Sequence, residues 1–522
     1  MFEAKLRILF LCFSLFSLNN NPVFAEKTIP DVGIHSSQNS KPAKYIDDRR
    51  LMRLSWFHDN KLSPAGRVAL DFIQQAARHG LDPEDYQLSV LNQLLKDCQT
   101  DNYHEFNSLL TQNLIAVIHH LKNGRFDPRL ADPSWHIPQS QFDAKAFLLK
   151  AYSAENFSAQ LTTLIPKNRQ YQKLLQALAK YQKYAQQQSW PTVPETNALL
   201  RTGDHHPHLK IIQARLAAED DFLALTHAVK SDIYDPLLEL AVKRFQARHG
   251  LKVDGIIGPE TIRAMNITAD YRVKQIRASL ERYRWLPELG ERYVMINTAN
   301  HHLQAVDNNQ IVLDMKVIVG RKSRQTPSFL SQINHVVFNP YWHVPNKLAR
   351  LDLLPKQQED AHYLQRQGFK VFRINSNIKI ELPVNSINWQ SYSPRETLPF
   401  TLRQQPGDHN ALGRIKFLFP NPWQIYLHDT PHKSLFDEAH RAFSSGCIRV
   451  EQPLMLADFI IADPQKRQVV TRGIASEKNG GLKLNPLTML YVMYITVAVS
   501  DNQVVFSPDH YQRDQRMIKR LY

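Results

Sequence analysis

Cysteine is scarce in this chain, with three residues in 522. Small exported scaffolds that depend on disulfides carry many more cysteines for their length, so that class of protein is excluded. Cys12 lies in the first apolar run, which leaves Cys98 and Cys447 in the rest of the chain. Cys98 falls on a helical pattern of leucines and is predicted to be a half-buried small side chain. A bridge between Cys98 and Cys447 stays open as the alternative.

The sequence also lacks a hydrophobic run long enough to span a bilayer. The main apolar runs cover residues 8–18 and 487–499, whereas a spanning helix needs about 20 residues. We therefore expect no integral membrane span. The first run follows basic residues and precedes a small-x-small pattern ending at Ala25, which predicts a secretory signal peptide over residues 1–25 and export to the periplasm. An uncleaved anchor is the alternative, and the second run predicts a buried strand.

Acidic residues are fewer than basic ones, at 49 Asp and Glu against 64 Lys and Arg, and the formal net charge is +15. A basic exported protein is suited to anionic partners such as cell-wall polymers. The basic residues are spread along the chain and form no block. This distribution argues against a nucleic-acid-binding protein.

Length and periodicity indicate a multidomain α+β protein of about three domains. Helical patterns dominate residues 46–200, which we predict to be an α-helical scaffold domain. Alternation of apolar and polar residues takes over in residues 290–475 and predicts a mainly-β domain. Residues 346–405 interrupt this alternation and are expected to be an insertion that folds over a site. Residues 476–522 are predicted to add strands that pack on the scaffold or on the β domain.

Residues 205–268 are predicted to form a compact helical module. Leu240, Val242 and Phe245 predict a buried stripe on a helix that Gly250 ends. The segment FQARHGLKVDGIIGPETIRAMN resembles the small three-helix peptidoglycan-binding domain that is appended to cell-wall enzymes. The resemblance implies binding to the wall, and a bundle with a purely structural role is the alternative.

The isolated cysteine in RAFSSGCIRV is the main chemical feature of the chain. A thiol attacks carbonyl groups as its thiolate and needs a base to accept its proton. His428, at the end of the apolar segment IYLHDT, is the candidate base for Cys447. Gly446 lets the backbone approach a substrate closely, and the amides around Ser445, Gly446 and Cys447 are candidates to face an oxyanion. Arg449 is a candidate partner for a substrate carboxylate.

The stretch HDTPHKSLFDEAHRAFSSGCIRV resembles the active-site signature of the L,D-transpeptidases, the cysteine enzymes of bacterial cell-wall cross-linking. The segments VIVGRKSRQTPSF, NPYWHVP and FSPDHYQRD are similar to the large periplasmic subgroup of that family. The resemblance implies an L,D-transpeptidase catalytic domain at residues 290–475, with residues 346–405 as its capping subdomain. It also implies peptidoglycan tetrapeptide stems as partners and no cofactor, and it leaves other wall-synthesis enzymes open as further partners.

The same resemblance implies a mechanism. Cys447 attacks the L,D-peptide bond between the third residue of a stem, a diamino acid, and D-Ala, which leaves with a proton from His428. The side-chain amine of another stem then attacks the thioester acyl-enzyme and forms a 3→3 cross-link. The carbonyl of Asp429 would orient the imidazole, and Tyr426 and Trp342 would line the cleft. Carbapenems inhibit this family by acylating the cysteine.

Other functions stay open on the sequence alone. Water as acceptor would give an L,D-carboxypeptidase, and a degenerate site would leave a wall-binding scaffold without activity. A papain-like cysteine endopeptidase is disfavoured, because those enzymes place the cysteine before the histidine in the chain. His428, His432 and His440 lie close in sequence, but Pro431 breaks any helix between them and no cysteine or carboxylate completes a zinc site. We therefore predict no metal centre.

Overall fold

The structure is a computed structural model that describes residues 49–96, 103–219, 231–375 and 378–522. The predicted signal peptide, Cys12 and Cys98 lie outside the described residues. Within these ranges, no helix is both long and apolar enough to cross a bilayer.

The described elements confirm the multidomain α+β class. The α-helices are α1 (Arg49–Met52), α2 (Pro64–Gln75), α3 (Leu88–Lys96), α4 (Tyr103–Asn123), α5 (Ala144–Tyr152), α6 (Phe157–Thr162), α7 (Arg169–Gln187), α8 (Leu209–Ala217), α9 (Pro236–Arg248), α10 (Pro259–Met265), α11 (Ala269–Arg284), α12 (Asn346–Leu348), α13 (Leu354–Glu359), α14 (Tyr363–Arg366), α15 (Pro453–Ile460), α16 (Pro464–Ala475) and α17 (Arg513–Leu521). The strands are β1 (Phe57–His58), β2 (Lys61–Leu62), β3 (Arg292–Asn297), β4 (His302–Asp307), β5 (Gln310–Gly320), β6 (Phe329–Phe338), β7 (Trp342–Val344), β8 (Phe369–Asn375), β9 (Ile378–Leu382), β10 (Thr401–Gln404), β11 (Ile415–Leu418), β12 (Leu427–His428), β13 (Ala442–Ser444), β14 (Ile448–Val450), β15 (Gly480–Met493), β16 (Val497–Ser500) and β17 (Gln503–Phe506).

Local signals set the ends of the first long helix of the scaffold. The Ser63 hydroxyl accepts a hydrogen bond from the Gly66 amide at 3.0 Å, and Pro64 occupies the first turn of α2, where its missing N–H costs nothing. After α2 the chain continues as a short 3-10 helix that ends at Gly80, whose φ of +75° favours glycine.

Helices α8, α9 and α10 form the three-helix module predicted between residues 205 and 268. Val242 and Phe245 are fully buried in its core, as predicted, but Leu240 is 48% exposed. The prediction for Leu240 was wrong because residues two apart on a helix do not share a face. Leu238 and Ala241 complete the buried stripe instead.

A closed β-barrel forms the second half of the protein. Its strands follow the order β5-β14-β12-β11-β6-β15-β3-β4, and β4 pairs back to β5. Strand β13 pairs with the end of β5, on the edge opposite β14. Closure leaves the eight barrel strands without a free edge and encloses an apolar core.

The tail differs from the expectation for residues 476–522. Strand β15 lies inside the barrel wall, between β6 and β3, instead of packing on a finished domain. Because the barrel cannot close without β15, the β domain extends past residue 475. The β16–β17 hairpin packs on helices, where Val497 and Phe506 join a core that includes residues of α7 and α11. Tyr491 and Met493 of β15 belong to the same core.

The insertion forms a small subdomain between two neighbouring barrel strands, β6 and β11. Its four strands follow the order β7-β10-β8-β9 and accompany helices α12 to α14. It has a hydrophobic core of its own, which includes Leu354, Val371 and Leu402. We call residues 342–404 the cap.

Helix α11 is buried along most of its length and carries charged residues into the interior. Arg282 pairs with Asp514 of α17, with 2.5 Å between Nη1 and Oδ1, and both side chains are at most 1% exposed. The Thr496 hydroxyl donates to the other oxygen of Asp514 at 2.6 Å. Because a buried charge without a partner is strongly destabilising, this pair ties α11 to the C-terminal helix.

The Arg282–Asp514 pair gives a stability prediction. Asp514→Asn keeps the shape of the side chain but leaves the charge of Arg282 uncompensated, so we expect a loss of about 3–5 kcal/mol. The measurement is the midpoint of urea denaturation. Asp360→Asn is the matched control, because it weakens an exposed pair with Arg366, which is 59% exposed, and solvent screening should leave its midpoint close to that of the wild type. Equal midpoints for the two variants would contradict the prediction.

Candidate active site

Two short parallel strands align the predicted site residues. Leu427 of β12 pairs with Ile448 of β14, and His428 pairs with Arg449. Leu427 and Ile448 are fully buried in the barrel core. Since side chains alternate between the two faces of a sheet, His428 and Arg449 project from the opposite face. Cys447 precedes β14 directly and lies at the edge of that face.

The turn that carries Cys447 is held by hydrogen bonds from hydroxyl groups. Ser444 Oγ donates to the carbonyl of Cys447 at 2.5 Å and accepts from the Gly446 amide at 3.1 Å. The Thr326 hydroxyl donates to the carbonyl of Gly446 at 2.9 Å. Gly446 has a φ of +120°, which explains why glycine stands there.

This turn corrects one expectation from the sequence. The Gly446 amide was a candidate to face an oxyanion, but it is already engaged with Ser444 Oγ. An amide that donates within its own turn is not available to a substrate. Ser444 and Thr326 were missed as contributors, because nothing in the local sequence shows which hydroxyl the turn contacts.

His428 is buried and held in one tautomer. Its Nδ1 lies 2.5 Å from the carbonyl oxygen of Asp429, and because a carbonyl only accepts, Nδ1 carries the proton. The Nε2 lone pair is then left for chemistry. Burial, chiefly, lowers the pKa of His428 to about 3, with Arg449 and Lys416 adding to the effect and the bond to Asp429 opposing it.

The carboxylate of Asp429 points elsewhere and does not contact the imidazole. It accepts from the amide of Arg414 at 2.9 Å and from Nζ of Lys433 at 2.6 Å. A Cβ on Gly413 would lie 2.3 Å from Oδ2 of Asp429, so only glycine fits beside it. These contacts fix the backbone of Asp429, and with it the carbonyl that orients His428.

The thiol of Cys447 is partly exposed and free. Its Sγ lies 3.8 Å from the carbonyl oxygen of Gln424. Burial raises the pKa of the thiol, while Tyr426, Arg449 and Lys416 act in the opposite direction. Among the described hydrogen bonds, none joins the thiol to His428. The described state is therefore a neutral thiol near a neutral imidazole.

Basic side chains surround the thiol. Lys416 of β11 pairs in register with His428, and the pKa of Lys416 is lowered by burial and raised by Cys447. Ser445 Oγ accepts from Nη1 of Arg324 at 2.7 Å and from Nη2 of Arg321 at 3.2 Å. The sequence did not single out Lys416, Arg321 or Arg324 as site residues, and only the run of basic residues in GRKSR was a possible signal.

Residues 291–470 match the family model of the L,D-transpeptidase catalytic domain. The chain carries an L,D-transpeptidase catalytic domain. Two further family models match, a scaffold domain over residues 48–178 and a peptidoglycan binding domain over residues 205–265.

One curated relative and two solved structures are also similar to this chain. A Haemophilus influenzae protein, named as an L,D-transpeptidase, is 31% identical over 258 residues, which are 49% of this chain and 50% of the relative. The chain thus spans about half the length of that relative. An L,D-transpeptidase structure from Xylanimonas cellulosilytica is 14% identical to this chain. The match covers 57% of this chain and 99% of that structure's chain, with a TM-score of 0.18. An L,D-transpeptidase structure from Stackebrandtia nassauensis is 13% identical, and the match covers 58% of this chain and 96% of that structure's chain, with a TM-score of 0.21. TM-scores this low support no conclusion about fold or activity.

The cap of the transpeptidase domain reaches the site at two points. Arg324 forms a two-point ion pair with Asp352 of the cap, with the closest N–O distance at 2.6 Å. Trp342, at the first position of β7, hydrogen-bonds the Tyr426 hydroxyl. Burial and the Cys447 thiol raise the pKa of Tyr426, and the bond to Trp342 lowers it. The cap therefore reaches the turn of Cys447 through Arg324, which also donates to Ser445, and reaches the wall of the cleft through Trp342.

The pKa shifts of Cys447 and His428 predict how the reactivity of the thiol depends on pH in the absence of substrate. Because burial raises the pKa of Cys447 above that of an ordinary thiol, alkylation of this thiol by iodoacetamide should keep accelerating as the pH rises through about 8.5, the pKa of a free cysteine. Because His428 has a pKa of about 3, its protonation should produce no change in the alkylation rate between about pH 5 and 8. Mass spectrometry of the peptide that contains Cys447 separates it from other cysteines. A rate plateau reached by pH 7 would indicate a thiolate–imidazolium pair and contradict the prediction.

Proposed function

We propose that this protein is a periplasmic L,D-transpeptidase that cross-links peptidoglycan with Cys447 as the nucleophile. The observation that supports the proposal is the pairing of β12 with β14, which puts His428, held in one tautomer, on the same face of the sheet as Cys447 within the region matched by the catalytic-domain model. The match of residues 205–265 to a peptidoglycan binding domain supports peptidoglycan as the substrate. Export would use the predicted signal peptide at residues 1–25.

In the first half-reaction, the thiol proton moves to Nε2 of His428 and Sγ attacks the carbonyl of the third stem residue. Rotation about the side-chain bond of Cys447, away from the Gln424 carbonyl, would bring Sγ toward the imidazole. The tetrahedral intermediate collapses to a thioester, and the amine of D-Ala leaves with the proton from His428. Deprotonation of the thiol is balanced by protonation of the leaving amine.

The basic side chains suit an anionic donor stem. Nε of Arg449 is buried and has no hydrogen-bond partner among the described residues. Arg449 and Lys416 lie on the same face as the thiol, and either could pair with a carboxylate of the stem. Their charge also stabilises the thiolate and the oxyanion that develop during attack.

In the second half-reaction, the side-chain amine of another stem attacks the thioester. His428 accepts the proton from this amine and returns it to the departing sulfur, so the amide bond forms as the carbon–sulfur bond breaks and Cys447 is regenerated as the thiol. The product is a 3→3 cross-link between two diamino acid residues. Attack by water in place of the amine would release a tripeptide, and a carbapenem would acylate the same sulfur.

The decisive experiment incubates the purified protein with a disaccharide-tetrapeptide and analyses the products by mass spectrometry. We expect dimers that lack one D-Ala, and we expect none with Cys447→Ala, because an alanine methyl cannot form the acyl-enzyme. Tripeptide without dimers would assign carboxypeptidase activity. Residual cross-linking by a folded Cys447→Ala variant would refute Cys447 as the nucleophile, and an inactive wild type that still binds peptidoglycan would favour a wall-binding scaffold.

A matched pair of histidine variants tests the general acid-base role. His428→Ala should lower kcat by about 10²–10⁴-fold, the usual range for loss of a proton-transfer group. His432→Ala removes an exposed histidine from the following loop and should leave kcat close to that of the wild type. Similar losses in both variants would contradict the assignment to His428.

A further inference from the structure

Three histidines from separate parts of the chain meet beside the barrel. His301 lies in the turn between β3 and β4, His440 lies just before β13, and His510 follows β17. One ring nitrogen from each lies within 4.8 Å of the others. The ring centroids are 4.8 to 5.3 Å apart. Of these three residues, only His440 was a metal candidate from the sequence, together with His428 and His432, because His301 and His510 are distant from it in the chain.

The inner two histidines have ring nitrogens without a protein partner. His301 is 4% exposed, and its Nε2 is buried without a hydrogen bond among the described residues. Nε2 of His510 is also buried and has no hydrogen bond among the described residues. A buried polar atom without a partner is costly, so its persistence in one cluster indicates a missing ligand.

The chemistry of the cluster suits a transition metal. Neutral imidazole nitrogen is a good ligand for zinc, and three histidines leave a fourth position for water. Burial lowers the pKa of all three histidines, so they are in the neutral form that binds a metal. Zinc–nitrogen bonds of about 2.0–2.1 Å require ligand atoms roughly 3.3 Å apart, so the rings must move closer. His440 is exposed and can rotate to do so.

We propose that His301, His440 and His510 bind a divalent transition-metal ion, with zinc as the best fit. The ion would join the turn after β3, the loop that leads to the Cys447 strand, and the C-terminal segment. Cys447 is not a ligand of this site, and the ion would have a structural role by holding these three segments together.

Hydrogen bonds beside this site connect the C-terminal segment to the turn that carries Cys447. Tyr511, next to His510, donates its hydroxyl to the carbonyl of Gly320 at 2.5 Å and accepts from the Thr326 amide at 3.3 Å. Thr326 in turn donates to the carbonyl of Gly446, the residue before Cys447. An ion at the three histidines would therefore brace the C-terminal segment against the turn that carries the nucleophile.

The test uses the full-length protein without an affinity tag, treated with a chelator and then dialysed against a low concentration of zinc. We expect about one zinc per chain by elemental mass spectrometry, and a metal-dependent rise in Tm. Binding of Co²⁺ should give the visible absorption of a four-coordinate site. His440→Ala and His510→Ala should each weaken zinc binding by about tenfold or more.

Three controls keep the proposal falsifiable. His440 is exposed, so His440→Ala is the decisive variant even if substitution of buried His301 prevents folding. His58→Ala removes a histidine whose side chain is 83% exposed and should bind zinc like the wild type. Cys447→Ala should also retain zinc, because the thiol is not a ligand of this site. A wild type that retains no zinc, or a folded His440→Ala variant with unchanged zinc content, would overturn the proposal.

Discussion

The parallel pairing of β12 with β14 is the constraint on which the candidate site depends. Leu427 and Ile448 fill the barrel core, and this burial sets the register that brings His428 beside Arg449. A slip of one residue would turn the candidate site residues into the core and the apolar residues into the cleft. The two strands are too short to be stable alone, so their neighbours β11 and β5 must hold them in place.

Buried ion pairs likewise fix the positions of whole helices, here α11 and α17. Arg284 of α11 pairs with Glu281 on the same helix and donates to the carbonyl of His79 at 2.9 Å, in the scaffold. Arg513 of α17 pairs with Asp132 of the scaffold, with 3.2 Å between Nη1 and Oδ2. Each pair is satisfied in one arrangement only, because a displaced partner would leave a charge in the interior. The scaffold, the C-terminal helix and the barrel are joined by these contacts as well as by apolar packing.

The parts of the fold that were predictable have local causes. Capping at Ser63, the glycine turns and the change from helical to alternating periodicity each depend on a few neighbouring residues. Strand β15 was misjudged because its place between β6 and β3 depends on strand pairing across most of the domain. Helix α11 was not singled out, because its mainly polar sequence indicates a surface helix, yet its charged residues find partners inside.

The sequence by itself determined the chemistry of this protein. A cysteine after glycine, a preceding histidine and an arginine two residues later are the candidate reactive groups, and they stand together in one short motif. Only the tertiary structure decided their surroundings: Lys416 on the same face as the thiol, Arg324 hydrogen-bonded to the turn that carries Cys447, and Asp352 from the cap. It also brought together His301, His440 and His510 elsewhere on the barrel. The physical reason is that the type of a side chain sets its reactivity, and the sequence gives the type of each residue directly. Strand register and barrel closure set which side chains are neighbours in space, and both depend on contacts between residues far apart in the chain.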